Sequence, residues 1–87
     1  PLSAQHIVNQ YSQEELTRIF RAYGELERPA AWSFKIVRAR EDQAIQTTTE
    51  LVDCLKPMLK RGRENKDLAR VFQALRIEVK SWVVAVP

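Results

Sequence analysis

Apolar residues recur along this chain at steps of three and four, the spacing of one helix face, in blocks separated by short polar stretches. Leu16, Ile19, Phe20 and Tyr23 form the cleanest block. Ser12 stands ahead of it with Glu15 three residues on, so each side chain can satisfy the other's backbone N–H. Gly24 follows the block at once and reads as a left-handed terminator. The pattern predicts a helix over about 13–23. Before it, Ser3 can cap a short helix reaching Gln10, with Ile7 and Val8 as its apolar contacts.

Pro29 suits the first turn of a third helix, where its missing N–H would have no partner anyway. Trp32, Ile36 and Ala39 make its stripe, broadened by Phe34 and Val37, and Arg38 and Arg40 complement the negative end of its dipole. The rhythm lapses into a loop between Glu41 and Thr48. Thr47 or Thr48 then caps a fourth helix with Leu51, Val52, Leu55, Met58 and Leu59 on its apolar face. Pro57 ends the regular helix near Lys56 and leaves Pro57 to Lys60 as a separate turn. After a loop over 60–66, Leu68, Val71, Phe72, Leu75, Val79, Trp82, Val83 and Val86 line one face of a long helix from about Lys66 to Trp82. Phe72, Leu75, Ile77 and Val79 are its expected core residues. Trp82–Val86 is the one strand candidate. The expected fold is all-α, a small bundle of four to five helices with short connections, forming one domain over 1–87.

Composition agrees with a small globular domain: 87 residues, 45% apolar and 29% charged. No apolar run approaches the roughly 20 residues that span a bilayer, so no membrane partner is expected. The start P-L-S-A-Q-H lacks a secretory signal, and Pro1 in place of Met suggests a chain processed or cut from something longer. Cys54, the single cysteine, cannot form an internal disulfide or a Cys-rich zinc site, and a cytoplasmic compartment follows by default. His6 is equally isolated, so no metal site is expected.

Charge adds more. The net charge is +3. Between Lys56 and Arg70, six cations face only Glu64 and Asp67, so this segment carries +4 and the remainder −1. Such clustering suits a phosphate-contacting surface; taken alone, it suits a solvated loop better.

Catalytic motifs are missing. Gly24 and Gly62 stand alone, without a βαβ pattern, P-loop, Ser-His-Asp set or zinc motif. The pairs Glu14–Glu15 and Glu41–Asp42 fall at solvated helix ends. No catalytic residue is assigned.

Five words in order carry a resemblance. I-V-N-Q-Y-S-Q-E-E-L at Ile7–Leu16, I-F-R-A-Y-G-E at Ile19–Glu25, I-V-R-A-R at Ile36–Arg40, I-Q-T-T-T-E-L at Ile45–Leu51 and R-E-N-K-D-L-A-R-V-F-Q-A-L-R-I-E-V at Arg63–Val79 are similar to segments of the MraW/RsmH family. That family comprises S-adenosylmethionine-dependent cytosine-N4 methyltransferases of small-subunit ribosomal RNA. The chain resembles only their inserted helical domain, without the Rossmann-like catalytic core. The resemblance implies RNA recognition, S-adenosylmethionine in the parent but not in this fragment, and partnership with small-subunit rRNA and with the methyltransferase core. Two segments depart from the family pattern. Pro29–Phe34 replaces a run of arginines, leaving Lys35 as the only cation there. After Val79 comes the apolar tail Lys80–Pro87.

Lys60, Arg61, Arg63, Lys66 and Arg70 are the candidate phosphate contacts, with Arg76 and Gln73 as further candidates beside the apolar stripe. Trp32 fits a core position better than a base-stacking one. The alternative function is a free-standing helical module that binds a partner protein through an apolar groove; both readings predict an exposed apolar patch, and self-association through residues 66–86 is the discriminator. A helix-turn-helix reading fails because the last helix carries few base-reading side chains on its outer face.

Overall fold

Ser3, Ser12 and Thr47 each start a helix as their side chains allow. A computed structural model describes the backbone of residues 2–85 and the side chains of residues 2–81. Its elements are α1 (Ala4–Gln10), α2 (Gln13–Ala22), α3 (Pro29–Asp42), α4 (Thr48–Leu55), a 3-10 turn (Lys56–Met58) and α5 (Glu64–Ala85), with no strand among the described residues. The all-α expectation holds. Ser3 Oγ accepts the His6 N–H, and both Ser12–Glu15 and Thr47–Glu50 form reciprocal capping boxes.

The Ser12 box has a titration consequence. Hydrogen bonds from the Ser12 backbone and then its side chain hold the Glu15 carboxyl below its ordinary value, helped weakly by Arg18. A carboxyl with a lowered folded pKa stabilises the fold above its unfolded value, and the contribution disappears as pH falls through the folded value. Acidification below the ordinary glutamate range is therefore expected to fray the first turn of α2, read as loss of helical chemical shifts at residues 13–15. An unchanged turn, or the same fraying in Glu15→Gln, would refute the assignment.

α2 lies along α3, α5 closes over α2 and α1, and α4 packs on α3. Ile7, Leu16, Ile19, Phe20, Ile36, Leu55 and Val71 are fully buried at the centre. Phe72 and Val79 pack partly buried against them. Ile77 is half-buried and stands outside that cluster.

Helical geometry corrects the expected stripe of α3. Phe34 is 49% exposed and Ser33 is buried. At about 100° per residue, Phe34 lies about 200° from both Trp32 and Ile36, on the opposite side of the helix. Ser33 faces α2 instead, where its hydroxyl donates to the Pro29 carbonyl and accepts from Thr17. A small hydroxyl there lets the two helices approach.

The other boundaries shift in understandable ways. α3 continues to Asp42, beyond the expected break at Glu41. α5 starts at Glu64, because the Gly62 N–H donates to the Glu64 carboxylate and the Asp67 N–H to the Arg63 carbonyl. Helix also continues through Ala85, which overturns the strand candidate; Val86 lies outside the described residues. Gly24 is not left-handed. That conformation falls on Glu25 (φ 53°) and Arg28 (φ 56°), each at roughly 1–2 kcal/mol for a residue with a Cβ. Gly24 is needed for space instead: an added Cβ would sit 2.9 Å from the Arg70 carbonyl oxygen and 3.0 Å from that of Phe20.

Side chains tie the connections down. The Asn9 carboxamide donates to the Ile45 carbonyl (2.7 Å) and accepts the Ile45 N–H (2.8 Å), fixing the α3–α4 loop. Arg40 reaches the Val8 carbonyl at 3.1 Å. The buried Glu78 carboxylate accepts from the Tyr11 hydroxyl and, at 3.4 Å, from Arg18. Through these bonds α5 is pinned to the corner between α1 and α2.

Candidate nucleic-acid interface

The expected basic cluster is built on a chain reversal. Pro57 lacks the N–H that would continue α4, so the chain tightens into the 3-10 turn, closed by the Leu59 N–H on the Lys56 carbonyl. A second turn follows, from the Arg63 N–H to the Lys60 carbonyl, with Gly62 at φ 86°. Lys60 and Arg61 are exposed on this reversal, and Lys66 is exposed on the first turns of α5.

The neighbouring acids have internal duties. Glu64 receives the Gly62 N–H, and Asp67 is buried with Arg63 3.8 Å away. Arg63 is therefore partly committed to Asp67. Arg70 is also engaged, donating to the Glu25 carbonyl at 3.2 Å. Its guanidinium tethers the α2–α3 connection to α5. Gln73 does the same one turn later, reaching the Tyr23 carbonyl at 2.9 Å.

Arg76 stands apart. From Arg70 it is about 9 Å further along α5 and about 120° around it. It is exposed on the rim of a groove of about 420 Å³ between α1, the α3–α4 loop, α4 and α5. Val8, Ile45, Leu51, Phe72, Leu75 and Val79 make that groove largely apolar. The six candidates thus divide into an exposed trio (Lys60, Arg61, Lys66), two tethered arginines (Arg63, Arg70) and one isolated arginine.

Sequence reasoning missed Arg28. It lines a smaller cleft of about 140 Å³ together with Trp32, Met58, Leu59, Lys60 and Arg63. No spacing rule links Arg28 to Lys60; the signal was only that Pro29 disfavours the right-handed helical conformation at the residue before it. Trp32 is 4% exposed and its indole N–H donates to the Glu27 carbonyl at 3.1 Å, which makes it a core residue.

The large groove does not suit S-adenosylmethionine. It has no acidic side chain to receive ribose hydroxyls, and its one charged lining residue, Arg76, would repel a sulfonium. Cys54 is half-buried, donates to the Leu51 carbonyl, and has its thiol pKa raised by burial and by Asp53. That makes it a poor nucleophile. Among the described residues no helix is long and apolar enough to cross a membrane.

Comparison with known proteins gives a consistent result. Residues 1–85 match the family model described as the MraW methylase family. The chain is 48% identical over 84 residues to ribosomal RNA small subunit methyltransferase H of Bacteroides thetaiotaomicron, an alignment covering 97% of this chain and 28% of that protein. Its counterpart from Christiangramia forsetii is 44% identical over 82 residues, with 94% and 27% covered. That from Elusimicrobium minutum is 49% identical over 77 residues, with 88% and 26% covered. The chain spans little more than a quarter of the length of these curated relatives. No solved structure matches it.

Proposed function

Because the chain belongs to the MraW methylase family, we propose that it is the helical, RNA-facing domain of an S-adenosylmethionine-dependent small-subunit rRNA cytosine-N4 methyltransferase. In this reading, residues 1–87 form one domain that recognises RNA and performs no catalysis alone. The methyl donor and catalytic core belong to the part of the relatives' length that this chain does not span. The protein works in the cytoplasm.

One observation carries the RNA-facing role. Lys60, Arg61 and Lys66 are exposed, while Asp67 is buried and Glu64, the one exposed acid beside them, accepts the Gly62 N–H. A fixed excess of cations then faces solvent, as counterion-releasing contact with phosphates requires. Arg63, Arg70 and Arg76 are secondary contacts in this scheme. Replacing Lys60, Arg61 and Lys66 together by alanine is expected to weaken binding of a small-subunit rRNA hairpin at least about tenfold and to flatten its salt dependence. Fluorescence anisotropy at several salt concentrations reads both, and circular dichroism should show an unchanged fold. Undiminished affinity would sink the proposal.

The apolar groove beside Arg76 supports a second contact, with the methyltransferase core. The rival reading is a free-standing module that binds a partner protein through an apolar groove, and the discriminator is self-association through residues 66–86, with Trp82, Val83 and Val86 as its contacts. Val86 and the side chains of Trp82 and Val83 lie outside the described residues, and gel filtration of the chain decides between monomer and dimer.

A further inference from the structure

We infer that the small cleft between the α2–α3 connection, the basic reversal and the start of α5 is a phosphate-binding site, with Arg28, Lys60 and Arg63 as its ligands. Three cations from two connections line it, Arg28 from one and Lys60 and Arg63 from the other, over an apolar base of Trp32, Met58 and Leu59. The side chains of Arg28 and Lys60 make no hydrogen bond or ion pair within the described residues. Arg28 also caps α3 from a left-handed backbone without using its side chain, which leaves the guanidinium free. Arg63 forms a loose ion pair with buried Asp67, 3.8 Å away.

Charge and size narrow the ligand. The same cleft is lined by Glu27 and Asp67, so three cations against two carboxylates leave one positive charge. The single charge of a phosphodiester balances it. The cleft is small, with a volume of about 140 Å³, and accommodates a tetrahedral oxyanion. The site therefore takes a phosphate group. That the phosphate belongs to an RNA backbone rests on the function proposed above; free inorganic phosphate offers the same chemistry.

Isotope-labelled chain, titrated separately with inorganic phosphate and with a single-stranded RNA oligonucleotide against matched sodium chloride, distinguishes the sources. Both ligands should shift the Trp32 indole N–H and the Gly62 and Arg63 amides in NMR spectra, and phosphate should compete with RNA. Arg28→Gly with Lys60→Gln should weaken both at least about tenfold. Glycine accepts the left-handed conformation, so this variant retains the fold. RNA binding that leaves these resonances unmoved would overturn the cleft while sparing the RNA-facing role. Phosphate shifting them without RNA binding would uphold the cleft and overturn that role. If neither ligand moves them, the site does not exist.

Discussion

Gly24→Ala should lower the stability of the bundle by about 2 kcal/mol, within the range for overpacking a tight contact. Glycine is not required there by its dihedral angles, since its φ is not positive. The added Cβ would meet two backbone oxygens and lie 3.4 Å from the Ala74 Cβ. Backbone cannot rotate aside like a flexible side chain, so α5 must lift away from α2. Denaturation in urea measures the loss, and the valine variant should lose more. Gly62 is the control. It has a positive φ and nothing within 4 Å of an added Cβ, so Gly62→Ala should cost only the conformational penalty, about 1 kcal/mol. A Gly24→Ala protein as stable as wild type would show that α2 and α5 are not in this close approach.

Glu78→Ala is expected to cost about 2–3 kcal/mol, mainly through the Tyr11 hydroxyl. Charge-assisted bonds of this kind contribute about 1.5–3 kcal/mol. The Arg18 side chain is 53% exposed, so water can replace its lost partner and that pair adds little. Glu78→Gln keeps an acceptor in nearly the same volume and should lose only about 1 kcal/mol. A double-mutant cycle of Tyr11→Phe with Glu78→Ala isolates the shared energy. Near-zero coupling would remove this bond from the account of how α5 is held.

These two positions show what the sequence conveyed. Helix starts were legible because a cap is a local device: Ser3, Ser12 and Thr47 lie within three residues of the groups they satisfy. The break at Pro57 was legible for the same reason. Gly24 was read as a terminator because a local rule offered one, whereas its neighbours on α5 are about 50 residues away in sequence. Glu78 carries no local signal of its partner, and only the fold brings Tyr11 to it. Phe34 shows a different failure: hydrophobicity was counted without phase, and the smaller Ser33 had the buried angle. For the candidate interface, composition located the basic segment but could not tell exposed Lys60, Arg61 and Lys66 from Arg70, which is tied to a carbonyl. Arg28 was invisible because it joins the cleft from another connection.

The bond between Tyr11 and Glu78 spans 67 residues, and that distance is also a time. Ribosomes add about 5–20 residues per second, so Glu78 is made about 3–13 s after Tyr11. Helices form within about a microsecond, far sooner than that. α2 and α3 can therefore pair early, while the side of α2 that awaits Val71, Ala74 and Leu75 stays uncovered until those residues have been made. In a growing cell, this interval is when the chain most needs a chaperone.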